Sequence, residues 1–166
     1  MKEKNFFVYS FYRFLKIKNK RKIKIQILNS LKNTSIKGTI LIANEGINAS
    51  LSGNKSELKY AIRLIKKILN IRKLQIKSNT TCSHTFNKLK VRAKNEIVTL
   101  GVGSLEIDKL KGKYVSPMNW DKFISQKNVK LIDTRNIYEI TVGKFKNSIN
   151  PMTNNFRQFP KKFREL

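Results

Sequence analysis

A short stretch around residue 45 constrains the fold of this chain more than any other part of it. Residues 38–43 (GTILIA) form a β-branched apolar run, and residues 47–52 (INASLS) alternate apolar and polar side chains. Only the tripeptide Asn-Glu-Gly separates the two runs, and Asn and Gly both tolerate the positive φ of a tight turn. The sequence therefore predicts a β-hairpin over residues 38–53.

An amphipathic helix is predicted directly after the hairpin. Apolar residues recur at steps of three and four, with lysines and arginine on the other side, and either Asn54 or Ser56 can cap the helix. The apolar positions are Leu58, Ala61, Ile62, Ile65, Ile68 and Leu69.

The segments on either side of this core complete a pattern. Residues 6–15 are aromatic and predict a first strand, and residues 74–77 predict a short last strand. Residues 16–33 fit two periods, because their isoleucines alternate as in a strand but also recur as on one helix face. A helix is favoured here, since it gives the order βαββαβ of ferredoxin-like domains. The expected class is α/β, beginning with an α+β ferredoxin-like domain.

The rest of the chain predicts a second, shorter region. Residues 78–86 read as a loop, residues 88–100 as an extended segment and residues 106–113 as a charged linker. Ser116 and Pro117 begin a helix whose apolar face is Trp120, Phe123 and Ile124. A buried strand over residues 129–132 then ends at Asp133 and Arg135, with a short helix, a turn at Gly143 and a second apolar step at Ile149 to follow.

Positive charge dominates the composition. The 166 residues carry 36 Lys and Arg against 10 Asp and Glu, a net charge of +26. Such a field attracts polyanions such as RNA. The alternative explanation is drift toward A/T-rich codons, because Lys, Ile and Asn, whose codons are A/T-rich, supply 66 of the residues. No run of 18 apolar residues exists, which excludes a membrane-spanning helix on sequence grounds, and the single cysteine, Cys82, fits a reducing cytoplasm.

Four blocks, in order, resemble the rhodanese-related tRNA uridine(34) hydroxylases. They are GTILIANEGINASLSG (38–53), KLKVRAKNEIVTLG (88–101), YVSPMNW (114–120) and LIDTRNIYEITVGKFKNSINP (131–151). The resemblance implies a ferredoxin-like domain over residues 1–104, followed by a linker and an incomplete rhodanese-like α/β domain over 105–166. It implies oxygen-dependent hydroxylation at C5 of uridine 34 of tRNA, with molecular oxygen as co-substrate and no organic cofactor or metal identified.

The family's cysteine is expected in a loop beyond Leu166, so no catalytic residue is assigned. The chain is accordingly expected to be truncated and inactive alone. A natural truncation, a decayed gene and a split gene, whose separate fragment would carry the rest of the rhodanese domain, are the three alternatives. Whether it acts as an enzyme stays open. A non-catalytic RNA-binding remnant is the alternative, and a sulfurtransferase ranks third because the required cysteine is absent. The expected partner is tRNA and the expected location is the cytoplasm, with no membrane.

The candidate RNA-binding residues lie in two groups. Glu45 and Asn48 of the hairpin are candidates for contacts with RNA or with the active cleft. The alternative is that their motif serves only the geometry of the turn. A basic stripe alternates along a strand and so shares one face, which suits either phosphate contacts or an ordinary solvated surface. It comprises Lys88, Lys90, Arg92 and Lys94.

Other chemistry-bearing residues have mainly structural interpretations. Asp133 and Arg135 match the D-x-R that follows the first rhodanese strand. A structural ion pair is favoured, and a functional position beside the active loop is the alternative. Tyr9, Phe11 and Tyr12 are expected in the core rather than stacked on bases. Cys82 with His84 is too small a ligand set for zinc.

Overall fold

The computed structural model describes residues 6–102 and 112–166. The described residues divide into two compact units, which separate between Val98 and Thr99. The predicted linker and the predicted domain boundary at 104/105 fall in or next to residues 103–111, outside the described residues. In the described part of the chain, no helix is both long and apolar enough to cross a membrane.

The first unit is a five-stranded sheet with two helices on one face. Its strands are β1 (Phe6–Phe14), β2 (Lys37–Ala43), β3 (Gly46–Gly53), β4 (Lys77–Thr81) and β5 (Leu89–Ala93). The helices are α1 (Lys20–Leu31) and α2 (Lys55–Ile68). The strand order is β4-β1-β3-β2-β5, and only the β2–β5 pair is parallel. The predicted ferredoxin-like βαββαβ arrangement is confirmed, with β5 added at an edge.

Both helices begin at an asparagine cap. The side chain of Asn19 accepts a hydrogen bond from the Lys22 amide at 2.9 Å, and that of Asn54 accepts one from the Glu57 amide at 2.9 Å. These bonds satisfy amides that have no partner inside the helix. The helix predicted within residues 16–33 is confirmed, and Asn54 is the cap of the second helix.

The two faces of the sheet differ in what covers them. On the face that packs against α1 and α2, here called the helix face, alternate strand residues are buried with the apolar sides of the helices. They include Phe11, Ile40, Ile42, Ile47 and Leu51. The face that the helices do not cover, here called the open face, carries the intervening side chains. Because strand side chains alternate between faces, the other residues of β1, β2, β3 and β5 are assigned to a face by their position relative to these core residues.

The last strand of the ferredoxin-like unit is not where the sequence predicts it. The prediction places a strand at residues 74–77 and a loop at 78–86, whereas β4 runs from Lys77 to Thr81. This strand is polar and mostly exposed, because it lies at the edge of the sheet and, in the part of the chain that the structure describes, pairs only with β1. The position of β4 is set by its pairing with β1, and the local pattern of apolar residues carries no information about that pairing. Similarly, β5 occupies only Leu89–Ala93 of the extended segment predicted over 88–100.

The central strand β3 approaches both neighbours so closely that two glycines are required. A Cβ on Gly46, whose φ is +152°, would lie 2.1 Å from the Arg13 carbonyl oxygen of β1. A Cβ on Gly38, whose φ is +138°, would lie 2.2 Å from the Ser50 carbonyl oxygen of β3. These φ values are ones that side-chain-bearing residues rarely adopt.

The second unit is built from short elements. They are α3 (Pro117–Ile124), α4 (Ile137–Ile140), a 3₁₀ turn (Phe156–Gln158) and α5 (Phe159–Phe163). The predicted helix starting at Pro117 is confirmed. The strand predicted over residues 129–132 is reduced to one parallel bridge between Ile132 and Ile149. Among the described residues no further strand lies beside it, so the ladder does not extend.

We predict that Gly46→Ala lowers the free energy of unfolding of the first unit by about 2 to 3 kcal/mol, because the new methyl group meets backbone rather than a movable side chain. Gly53→Ala is the matched control, since its Cβ would make ordinary contacts at 3.5 Å or more, and it should cost less than about 1 kcal/mol. Urea unfolding followed by circular dichroism measures both changes. Equal costs for the two variants would contradict the role given to Gly46.

Candidate nucleic-acid interface

The basic stripe lies on and beside the edge strand β5. Leu89 and Val91 turn toward the core on the helix face, so the residues between them point to the open face. All four stripe side chains, Lys88, Lys90, Arg92 and Lys94, are exposed. Parallel pairing with β2 runs from Gly38↔Leu89 to Ile42↔Ala93, and the Lys94 amide extends it by donating to the Ile42 carbonyl at 2.8 Å. The structure therefore presents the stripe as one continuous row of cations.

A basic hollow adjoins the Lys88 end of this stripe. The hollow has a volume of about 410 Å³, and its polar lining includes Lys32, Lys37, Lys88 and His84. Lys32 and Lys37 were not among the residues singled out from the sequence. Lys32 is at the end of α1 and Lys37 starts β2, so only the folded chain brings them beside Lys88. The hollow extends the positive surface beyond one strand.

Glu45 and Asn48 bind the backbone of a distant segment. The Glu45 carboxylate accepts a hydrogen bond from the Ile97 amide at 2.6 Å, and the Asn48 side-chain amide donates to the Ile97 carbonyl at 3.2 Å. Together they fix the segment that follows β5 to the β2–β3 hairpin. The sequence contains no local sign of this contact, because the partners lie about fifty positions apart. A direct contact of Glu45 or Asn48 with RNA stays a prediction.

The aromatic residues of β1 divide between the two faces. Tyr9 and Phe11 are buried on the helix face, as predicted. Tyr12 points to the open face and is 63% exposed, so its predicted place in the core is wrong. Its ring lies 5.9 Å from that of Phe14 in an edge-on arrangement. Tyr12 is thus an aromatic ring available for stacking.

His84 packs onto the open face at the far end from Ile97. Its ring lies 4.5 Å from the Phe6 ring, and its Nδ1 is 3.3 Å from the hydroxyl of the buried Ser52. Burial, and then the nearby positive charge of Lys37, lower the pKa of His84 below its usual value. Cys82 is exposed. No group of three or more potential metal ligands occurs within residues 6–102 and 112–166.

In the second unit, Asp133 and Arg135 form a closed ion pair. The Arg135 guanidinium donates to the Asp133 carboxylate at 2.6 and 2.9 Å and to the Gly143 carbonyl at 2.8 Å. The Asp133 side chain is only 4% exposed. Asn150 adds a hydrogen bond to the Asp133 carbonyl at 2.9 Å. The pair therefore ties the end of the Ile132 bridge to the turn at Gly143. The Arg135 hydrogen bonds hold the pKa of Asp133 below its ordinary range.

Comparison with models of known protein families identifies the family of this chain. The model of the UPF0176 acylphosphatase like domain matches residues 6–97, which is more than half of the chain and covers nearly all of the first unit. The chain belongs to the UPF0176 family.

Individual relatives extend the match across both units. A protein of Wolbachia pipientis wMel is 44% identical over 156 residues, covering 94% of this chain and 56% of its own length. A protein of Rickettsia conorii is 42% identical over 153 residues, covering 92% of this chain and 62% of its own length. Both are named tRNA uridine(34) hydroxylase. The family resemblance read from the four sequence blocks is confirmed, and the chain spans about three fifths of the length of these relatives.

Solved structures similar to the chain are more distant. The dark-state structure of the BLUF protein BlrB matches with a TM-score of 0.47 and 13% identity, covering 67% of this chain and 86% of that one. An acylphosphatase from Coxiella burnetii matches with a TM-score of 0.40 and 7% identity, covering 55% of this chain and all of that one.

The ion pair of the second unit gives a pH-dependent prediction. Because the folded-state pKa of Asp133 lies below its ordinary value of 3.8, the pair stabilises the unit above that value, and the contribution is lost as the pH falls through the folded-state pKa. We expect Asp133→Asn to lower the free energy of unfolding by about 1 to 2 kcal/mol at pH 7. The difference from the unsubstituted chain should shrink as the pH falls below 3.8.

Urea unfolding followed by the fluorescence of Trp120, the sole tryptophan of the sequence, reports on the second unit. Asp121→Asn, the same change at an exposed aspartate of that unit, is the matched control and should have little effect. A gap of equal size at pH 7 and pH 3 would show that the charge of Asp133 is not what stabilises the unit.

Proposed function

We propose that these 166 residues supply the tRNA-binding part of a tRNA uridine(34) hydroxylase, and that β5 is a main contact surface for the RNA backbone. The single observation that carries the proposal is the stripe of four exposed cations on an edge strand, in a chain whose relatives are named for a tRNA substrate. We place the activity in the cytoplasm, where its tRNA substrate resides and where the single thiol stays reduced.

The spacing of the stripe suits a chain of phosphates. Alternate residues of a strand are about 6.6 Å apart, so the four cations of the stripe extend over about 20 Å. Each phosphate that such a row neutralises releases counterion, and binding then falls steeply with salt. A general positive charge would give salt dependence too, but it would not depend on where the cations lie. Position is therefore the property that separates a defined site from bulk charge.

We propose that hydroxylation, with molecular oxygen as co-substrate, requires the full length that the relatives have. In the family resemblance the reactive cysteine follows a further rhodanese strand, whereas the only cysteine of this sequence is Cys82. Cys82 belongs to the first unit, and Asp133 and Arg135 to the second. In the D-x-R motif, the charges of Asp133 and Arg135 neutralise each other in an ion pair. The 166 residues thus offer RNA binding without an assigned nucleophile.

The binding proposal predicts a position-dependent loss of affinity. We expect Lys90→Glu/Arg92→Glu to weaken tRNA binding at least ten-fold at low salt and to reduce the slope of log K against log salt by about 1.5, since two phosphate contacts are lost. Fluorescence anisotropy with labelled tRNA across a salt series measures both quantities.

The matched control is Lys59→Glu/Arg63→Glu on the exposed side of α2, which makes the same change in charge with the same residue types. It should weaken binding less than three-fold. Equal losses for the two double variants would mean that only bulk charge acts, and would contradict a defined site on β5.

The activity proposal predicts that this chain alone forms no 5-hydroxyuridine. The chain would be expressed in cells that lack their own wobble-uridine hydroxylase, and digested tRNA examined by mass spectrometry. Co-expression of the part of the Rickettsia conorii relative that lies outside the match should restore the signal if a separate fragment can complete the enzyme. Product from the chain alone would contradict the prediction, and Cys82→Ser would then test that thiol.

A further inference from the structure

A polar trough crosses the open face of the sheet, and the strand register defines its floor. Ser10 lies opposite both Lys77 of β4 and Ser50 of β3, and Thr39 of β2 lies opposite both Ser50 and Lys90. Directly paired residues point to the same face. The floor is therefore a row of three hydroxyl side chains, with a lysine at each end.

The floor is polar and already ordered. The hydroxyls of Ser10 and Ser50 lie 2.8 Å apart, which fixes their side chains, while each keeps further capacity to donate or accept. Ser10, Ser50 and Thr39 are all partly exposed. An apolar face would call for an apolar cover, whereas this row offers hydrogen bonds to a polar ligand.

Two segments border the floor as walls. On one side Asn48 holds the Ile97 backbone, and on the other Ser52 and Phe6 hold His84. Asn48 and Ser52 are four residues apart on β3, or about 13 Å, and Ser50 lies midway between them. The clear width between the walls is therefore less than this spacing, which is too narrow for an RNA double helix and favours a single unpaired strand.

We propose that an unpaired RNA segment lies across the sheet in this trough, with its ribose hydroxyls on Ser10, Ser50 and Thr39 and its phosphates at Lys77 and Lys90. The inference rests on the proposed function, and it deepens that function by naming the part of the tRNA that the sheet holds. Five strands span about 19 Å between the two lysines, a length suited to a few nucleotides of an anticodon loop.

The chemistry of the floor selects ribose over deoxyribose. A ribose 2′-hydroxyl both donates and accepts hydrogen bonds, and it is the group by which a protein distinguishes RNA from DNA. A row of serine and threonine hydroxyls complements it. Tyr12 lies in the same row as Asn48, beside the floor, where its exposed ring can stack on one base. The stripe on β5 meets the trough at Lys90, so the trough opens onto the surface proposed for the RNA backbone.

The test removes hydroxyl groups without changing charge. Thr39→Val/Ser50→Ala alters the floor of the trough. Ser78→Ala/Thr80→Val makes the same two changes on β4, at exposed positions paired with Tyr9 and Phe7, which point to the helix face. The probes are an unpaired uridine-containing RNA heptamer, its 2′-deoxy counterpart and a paired RNA duplex, measured by fluorescence anisotropy. Thermal unfolding verifies that both variants fold.

The unsubstituted chain and the β4 control should bind the RNA heptamer at least five-fold more tightly than the deoxy heptamer. The floor variant should reduce this ratio below two-fold. Equal ratios in the two variants, or tighter binding of the duplex than of the heptamer, would overturn the trough while leaving tRNA binding by the stripe intact. Failure of the unsubstituted chain to bind any tRNA would instead overturn the proposed function, and the trough with it.

Discussion

The close approach of β3 to both of its neighbours is the constraint on which the first unit depends. Gly46 lets the start of β3 lie against β1, and Gly38 lets the start of β2 lie against the backbone of β3. With β3 held between them, the helix-face residues of three strands meet α1 and α2 in one core. The same contacts set the register that aligns Ser10, Ser50 and Thr39. A shift of one residue would turn every side chain of a strand to the other face.

Local patterns predict the interior of the first unit well and its edges poorly. The hairpin and α2 have strong periodicities because one side of each is buried, and both are found as predicted. β4 has no such signal, since its side chains are mostly exposed on both faces and its position comes from pairing with β1. In the second unit the apolar run over residues 129–132 predicts a strand, but a strand needs a neighbour, and the described residues provide only the bridge from Ile132 to Ile149.

The candidate site shows the same division between local and distant information. The stripe on β5 could be read from sequence because alternation alone places its four cations on one face. The partners of Glu45 and Asn48 could not, because Ile97 contacts them through backbone atoms that any residue would provide. The exposure of Tyr12 is hidden for a related reason: β1 is aromatic on both faces, so composition does not reveal which ring is buried. The sequence gives no sign of the trough, since its floor and the two lysines at its ends are single residues from five different strands.

The position of β5 at the edge of the sheet has a consequence for solubility. An edge strand exposes backbone N–H and C=O groups that can pair with a strand of another molecule, and lysines on edge strands are one of the ways in which proteins prevent this. Among the described residues, β5 has β2 as its only partner strand, and its exposed cations repel those of a second copy of the chain. The cations proposed to bind RNA therefore also disfavour pairing between the β5 edges of two copies. Replacing all four cations with neutral residues would remove this protection against self-association. Acidic replacements are therefore the better choice for measuring the contribution of β5 to RNA affinity.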